Sequence, residues 1–261
     1  MPSFRSALST KLCLLGTFVS FNDPYSSQIL ARCGFDWLMI DMEHSPLSAQ
    51  QITAMVHSTI AASAGHCSPI VRIPSHGVEW IKWALDSGTH GIIVPMVNNK
   101  QEVDSILKRA LYPPNGQRSF GPFRAPFAEL GGTLDMAKYK RETAPGVMML
   151  PMIESREAVE NAEEIIGTEG VDGIFIGPVD LRHSLGLEGA EGDEVEYIAA
   201  LQRVLEAGRR FGKAIGILGT QEAVPQLVKM GFSFIMLAGG DAGILAEAAS
   251  VRLQASRESI P

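Results

Sequence analysis

The chain has 261 residues, 46% hydrophobic and 20% charged, a balance that supports a folded core and argues against disorder as the main state. Its formal net charge of -7 argues against nucleic acid or an anionic membrane as partner, because both select a basic face. A small molecule or another protein is left.

The first apolar stretch, "LCLLGTFVSF", follows Arg5 and Lys11, with no acid before Asp23. That charge order resembles a targeting peptide, but the stretch holds Gly16, Thr17 and Ser20 and lacks a small-residue cleavage site. It is read as a first strand over 13–19. No window approaches the ~18 apolar residues of a membrane span. Cys13, Cys33 and Cys67 share no metal-type spacing and are read as packing residues in a reducing, cytoplasmic setting.

From there, short apolar or β-branched runs alternate with longer segments of helical period. Strands are expected at 13–19, 36–41, 69–72, 91–95, 147–152, 172–176, 214–217 and 233–236. Helices are expected near 25–33, 48–62, 77–87, 99–109, 156–166, 194–211, 221–230 and 241–255. Ser48 reads as an N-cap, and the glycines of "RCGFD", "DSGTHG" and "KMGFSF" read as helix stops. Strand, helix, glycine and strand again is the rhythm of parallel βα units. Eight such units in one domain over 1–261 predict an α/β fold, a (β/α)8 TIM barrel. A doubly wound open sheet is the alternative, but no G-x-G-x-x-G follows the first strand. Residues 110–146, rich in Pro and Gly, break the rhythm. A linker is the plain reading; an insertion forming a loop over or beside the active site is the one preferred.

In a (β/α)8 barrel, polar residues directly after a strand lie on the catalytic face. "DWLMIDMEHSP" ends an apolar run in Asp41, Glu43 and His44; Arg72 closes "IVR"; Glu154 closes "MLPMIE"; Asp180 lies in "IFIGPVD" just past the sixth strand. Singly, Glu154 or Asp180 could be a helix cap or dipole partner. After consecutive strands ~4.8 Å apart, two carboxylates could grip one hard cation, Mg2+ or Mn2+ rather than zinc. His44, with Asp41 to orient its ring, could serve as acid and base, or be a capped surface histidine. Arg72 could pair with Asp41 or Glu43, or serve as a fork for a carboxylate or enolate. His57, His66, His76, His90 and His183 are read as structural or surface residues.

The blocks "GTFVSFNDPYSSQILARCGFDWLMIDMEHSP", "VRIPSHGVEWIKWALDSGTHGIIVPMVNN", "YPPNGQRSFG", "PMIESREAVEN" and "VDGIFIGPVDLRHSLG" resemble the HpcH/HpaI family of class II pyruvate aldolases, typified by 4-hydroxy-2-oxoheptanedioate aldolase, over about residues 12–250. The resemblance implies a barrel of the phosphoenolpyruvate/pyruvate type, commonly a hexamer built as a trimer of helix-swapped dimers. It implies metal-dependent cleavage of 4-hydroxy-2-oxo acids to pyruvate and an aldehyde, with Mg2+ or Mn2+, or alternatively Co2+. A fungal relative, macrophomate synthase, decarboxylates oxaloacetate and traps the enolate. Residue by residue, the resemblance gives metal ligation to Glu154 and Asp180, acid/base work to Asp41 and His44, enolate stabilisation to Arg72, and the substrate carboxylate to the backbone around Gly177, Pro178 and Asp180. Two departures stand out. Many members carry Gln two residues before the metal-binding Glu, where this chain has Met152, and "RSFGPFRAPF" replaces a shorter loop.

Overall fold

The computed structural model describes residues 4–132, 134–189 and 191–260. In chain order the elements are α1 (Phe4–Thr10), β1 (Leu14–Val19), α2 (Pro24–Arg32), β2 (Trp37–Asp41), α3 (Ala49–Ala62), β3 (Ser68–Arg72), α4 (Val78–Asp86), β4 (Gly91–Val94) and α5 (Lys100–Ala110). The second half adds α6 (Met136–Lys138), β5 (Met148–Ile153), α7 (Arg156–Glu160), α8 (Ala162–Ile166), β6 (Gly173–Ile176), α9 (Pro178–Ser184), α10 (Val195–Phe211), β7 (Ala214–Gly219), α11 (Val224–Met230), β8 (Phe234–Leu237) and α12 (Gly240–Glu258). The eight strands pair in parallel, in sequence order, and β8 closes on β1. This is the (β/α)8 barrel expected from the sequence.

Strands covered on both faces have no solvent side to mark with polar residues, so they read as continuous apolar runs. Their side chains still alternate. Leu38, Ile40, Val71 and Ile153 pack outward with the helices, while Trp37, Met39, Ile70, Met148, Leu150, Met152 and Phe175 fill the barrel. Gly16 of β1 leaves room for the Trp37 indole on neighbouring β2, where a Cβ would collide with the ring. The helix α1, absent from the expected elements, plugs the lower mouth. Its Phe4 is buried with ring centroids 5.8 Å from Trp37 and 5.5 Å from Phe234.

The long insertion lies at the opposite end from the one expected. It runs between the end of α5 and the start of β5, an αβ connection, and such a connection joins the bottom of a helix to the bottom of the next strand. Arg118 within it donates to Asp86, at the lower end of α4, at 2.6 Å. Ala128 packs on Gly88 just before β4. Catalytic loops are βα connections at the other rim, so within one chain this insertion does not cover that rim.

At the C-terminus only the first turn of α12 is buried. Asp241 accepts hydrogen bonds from the backbone N–H groups of Ser20 and Phe21 and from the Ser20 hydroxyl. Beyond it the helix is exposed, with Leu245 and Val251 each 61% accessible.

Candidate active site

The alternation that fills the barrel also delivers its rim. Trp37, Met39 and Asp41 lie on one face of β2, and Ile70 and Arg72 on one face of β3; Asp41 and Arg72 are partners in register. On β5 the inward series Met148, Leu150 and Met152 reaches the rim as Glu154, one residue past the strand. Asp180 lies in the first turn of α9, a helix started by Pro178 directly after Gly177. The eighteen-residue gap between β6 and α10 reads as loop, because a seven-residue helix is too short to show its period.

Asp41 is buried, and all its recorded contacts are with backbone and guanidinium. Its Oδ1 accepts from the N–H of Glu43 at 3.0 Å, from that of His44 at 3.4 Å and from Arg72 Nε at 2.9 Å; its Oδ2 accepts from Arg72 Nη2 at 2.7 Å. The carboxylate therefore folds the turn that presents His44 and holds Arg72. The His44 ring instead meets Glu43, with Nε2 3.8 Å from Oε2, and is 66% exposed. Glu43 Oε2 also lies 3.1 Å from Arg72 Nη1, so two carboxylates hold one guanidinium. Glu43 carries the sequence signal of a strand-end acid and is there one of two possible partners of Arg72; the structure pairs Arg72 with both.

Glu154 is 3% exposed. Its Oε1 accepts from the Met96 N–H at 2.6 Å, and a Cβ at Gly177 would collide with its Oε2. Burial, with the negative charges of Glu43 and Asp180, raises its carboxyl to about 7, against the pull of the Met96 N–H and Arg72. Burial likewise raises Glu43, with Asp41 and Asp180 adding to the effect and Arg72 and His44 opposing it. Burial disfavours the charge of Arg72, but Asp41, Glu43 and Glu154 more than offset it and hold the guanidinium above its ordinary range. The rim thus gathers four carboxylates, one arginine and one histidine, an excess of negative charge that a cation would relieve.

Glu154 and Asp180 are hard oxygen donors. Among the described residues no three of His, Cys, Asp and Glu stand together as a complete ligand set. That composition fits Mg2+ or Mn2+, which use one or two carboxylates and take their remaining oxygens from water and substrate. It does not fit a structural zinc site. Backbone strain marks the same place. Met96 has φ +53°, a left-handed conformation that side chains avoid, and the carbonyl of the peptide bond preceding it faces His76 Nε2 at 2.7 Å. A histidine four residues past a strand end carries no pattern that singles it out in the sequence.

Residues 14–248 match the family model described as HpcH/HpaI aldolase/citrate lyase. The chain is 33% identical over 249 residues to hydroxypyruvate/pyruvate aldolase of Roseovarius nubinhibens, covering 95% of this chain and 93% of the relative. It is 34% identical over 247 residues to 5-keto-4-deoxy-D-glucarate aldolase of Escherichia coli, covering 94% and 93%. A crystal structure of an HpcH/HpaI aldolase/citrate lyase family protein from Burkholderia cenocepacia superposes with a TM-score of 0.88 at 28% identity, over 98% of this chain and all of the other.

Proposed function

The chain belongs to the HpcH/HpaI aldolase/citrate lyase family and is a carbon–carbon lyase of the aldolase class, and on that premise we propose that it cleaves a 4-hydroxy-2-oxo acid into pyruvate and an aldehyde through a pyruvate enolate, with a divalent cation. The carrying observation is the rim itself, where Arg72 and the carboxylates of Glu43, Glu154 and Asp180 act on one another at and just beyond the ends of β2, β3, β5 and β6.

Glu154 and Asp180 would hold the cation, Mg2+ or Mn2+, and it would supply a Lewis acid for the carboxylate and keto oxygens of the substrate. The other steps fall to the protein's side chains. His44, exposed on its turn, takes the C4 hydroxyl proton at its ring nitrogen as the C3–C4 bond breaks and the C4–O bond becomes a carbonyl. The electron pair of the broken bond passes into the enolate, and Arg72 stabilises the charge arriving on the 2-oxygen. It is held ready by Asp41 and Glu43, so it need not reorganise. The proton now on His44 returns to the enolate at C3, which releases pyruvate and leaves the imidazole neutral. Gly177 and Pro178 line the substrate carboxylate, with Gly177 leaving open the space beside Glu154. The test is pyruvate release from 4-hydroxy-2-oxo acids with Mg2+ or Mn2+, expected with the cation and lost in chelator. Cleavage undiminished by chelation would refute the metal assignment.

One observation favours a second reaction at the same site. Met152 lies one turn of the pleat below Glu154, with its terminal methyl 3.0 Å from where a Cβ of Gly177 would stand. A thioether offers no donor to the substrate. Decarboxylation of oxaloacetate, which yields the same enolate without a C4 hydroxyl to deprotonate, has less need of one.

The exposed apolar side chains of α12 are read as covered by a second copy, giving a homo-oligomer, a trimer or hexamer. No helix is long and apolar enough to cross a membrane among the described residues. The free thiols suit a reducing compartment, the cytoplasm: Cys67 is buried, and burial pushes its thiol up to about 12.

A further inference from the structure

One peptide bond, between Pro95 and Met96 just beyond β4, is gripped from both sides. Its carbonyl oxygen faces Nε2 of His76 at 2.7 Å, and its N–H donates to Oε1 of Glu154 at 2.6 Å. A carbonyl only accepts, so the His76 ring carries a proton on Nε2. His76 is itself fixed in the loop between β3 and α4, where its backbone carbonyl accepts from Arg109 of α5. Met96 holds its left-handed φ of +53° inside this arrangement. A side-chain-bearing residue keeps such a conformation only where its surroundings enforce it.

We propose that His76 is a positioning residue that acts through the Pro95–Met96 peptide to aim the Glu154 carboxylate, and thereby sets the affinity of the rim for its divalent cation. This rests on the reading of Glu154 as a cation-holding group. The physical path has two parts. Donation into the Pro95 carbonyl polarises the amide and makes the Met96 N–H a stronger donor. The same bond fixes the plane of the peptide, so the strained Met96 cannot relax by turning its N–H away. Without His76, the turn relaxes and Oε1 of a carboxylate that is 3% exposed loses its recorded partner. Glu154 then takes other positions, and the cation loses a pre-set ligand.

The experiment measures Mn2+ affinity, with free Mn2+ followed by electron paramagnetic resonance in the absence of substrate. The proteins are wild type, His76→Ala, His76→Phe, His76→Gln and Glu154→Ala, each checked by thermal melt. Phe keeps the ring volume without a donor and replaces the alanine variant should that one fail to fold. Gln restores a donor. The expected result is about tenfold weaker Mn2+ binding for Ala and Phe, the scale of one net hydrogen bond, with binding restored toward wild type for Gln and abolished for Glu154→Ala. Wild-type affinity in His76→Ala and His76→Phe, with Glu154→Ala still abolishing binding, would overturn the role of His76 alone. Equal loss in all three His76 variants would mean that a donor at this position does not set the affinity, and loss in His76→Ala with wild-type affinity in His76→Phe would make His76 a shape-filling residue; either would also overturn it. Wild-type affinity in Glu154→Ala would overturn the reading of the rim and this inference with it.

Discussion

Each end of the barrel secures an arginine against an aspartate, and the two ends do it differently. At the lower end Arg118 donates to Asp86 at 2.6 Å and lays its guanidinium 4.5 Å over the Tyr112 ring. One cation meets one carboxylate and one aromatic face, and the pair ties the insertion to the barrel. At the upper rim Arg72 is bound by Asp41 and Glu43, with the charge of Glu154, just past β5, acting on it as well. There the acids outnumber the cation, and the imbalance shows in Glu154, raised to about 7. Charge balance at the lower end serves folding. The surplus at the upper end opposes folding, and a bound cation is what would offset it.

Substituting each arginine should separate the two roles most strongly. Arg72→Lys keeps a positive charge beside Asp41 but loses the planar fork, and turnover should fall on the order of 10²-fold with the melting temperature nearly unchanged. Arg118→Leu should do the reverse. It strands the Asp86 carboxylate and removes the stacking on Tyr112, which should cost about 3 kcal/mol of stability while turnover per folded molecule is unchanged. Thermal melts and steady-state kinetics on the two variants decide this; a stability loss in the first and an activity loss in the second would exchange the roles of the two ends.

A smaller effect concerns pH. The folded-state pKa of Glu154 stands above its unfolded value, so between the two the native state binds the extra proton and stability falls as pH rises toward about 7. Glu43, also shifted upward, acts in the same direction. Glu154→Gln keeps an acceptor for the Met96 N–H and removes the charge. Without cation it should be more stable than wild type above pH 7 by roughly 2 kcal/mol, with the advantage vanishing toward pH 5. Denaturant titrations at both pH values in chelator check it, and an advantage independent of pH would mean that charge is not the cause.

How much of this was legible in the sequence follows from which signals are local. All eight strands could be read, because β1 through β8 are short, largely buried apolar runs set between segments of helical period. Which of their side chains face inward was not legible, because both faces of these strands are apolar; the structure puts Met148, Leu150 and Met152 on the line that ends in Glu154. Pairings between strands are not local. The sequence places Asp41 three residues from His44 and so suggests that the two side chains meet, whereas strand register sets Asp41 against Arg72 and leaves the ring beside Glu43. The link from His76 through a peptide bond to Glu154 joins three separate βα units and leaves no local pattern. The insertion over 110–146 was visible by its composition, but composition does not say which end of a barrel a loop occupies. Its position between a helix and the following strand does.

The smallest expected effect lies at Met152, just beneath the charged rim. Met152→Gln supplies a side-chain donor to the 2-oxo acid and should raise aldol cleavage relative to oxaloacetate decarboxylation by ~10-fold, equivalent to ~1.4 kcal/mol. Both rates are measured with the same cation in wild type and variant; an unchanged ratio would mean that position 152 does not set the reaction preference.

The central claim, that the charged upper rim generates a pyruvate enolate, is tested most directly by NMR of pyruvate in D2O. With wild-type protein and Mg2+ or Mn2+, the C3 protons should exchange for deuterium whatever the second substrate is. Exchange should disappear in Glu154→Ala and Asp180→Ala, fall steeply in Arg72→Lys, and persist in Arg118→Leu below its melting temperature. Exchange at the wild-type rate in Glu154→Ala, or none in the wild type with either cation, would contradict the account.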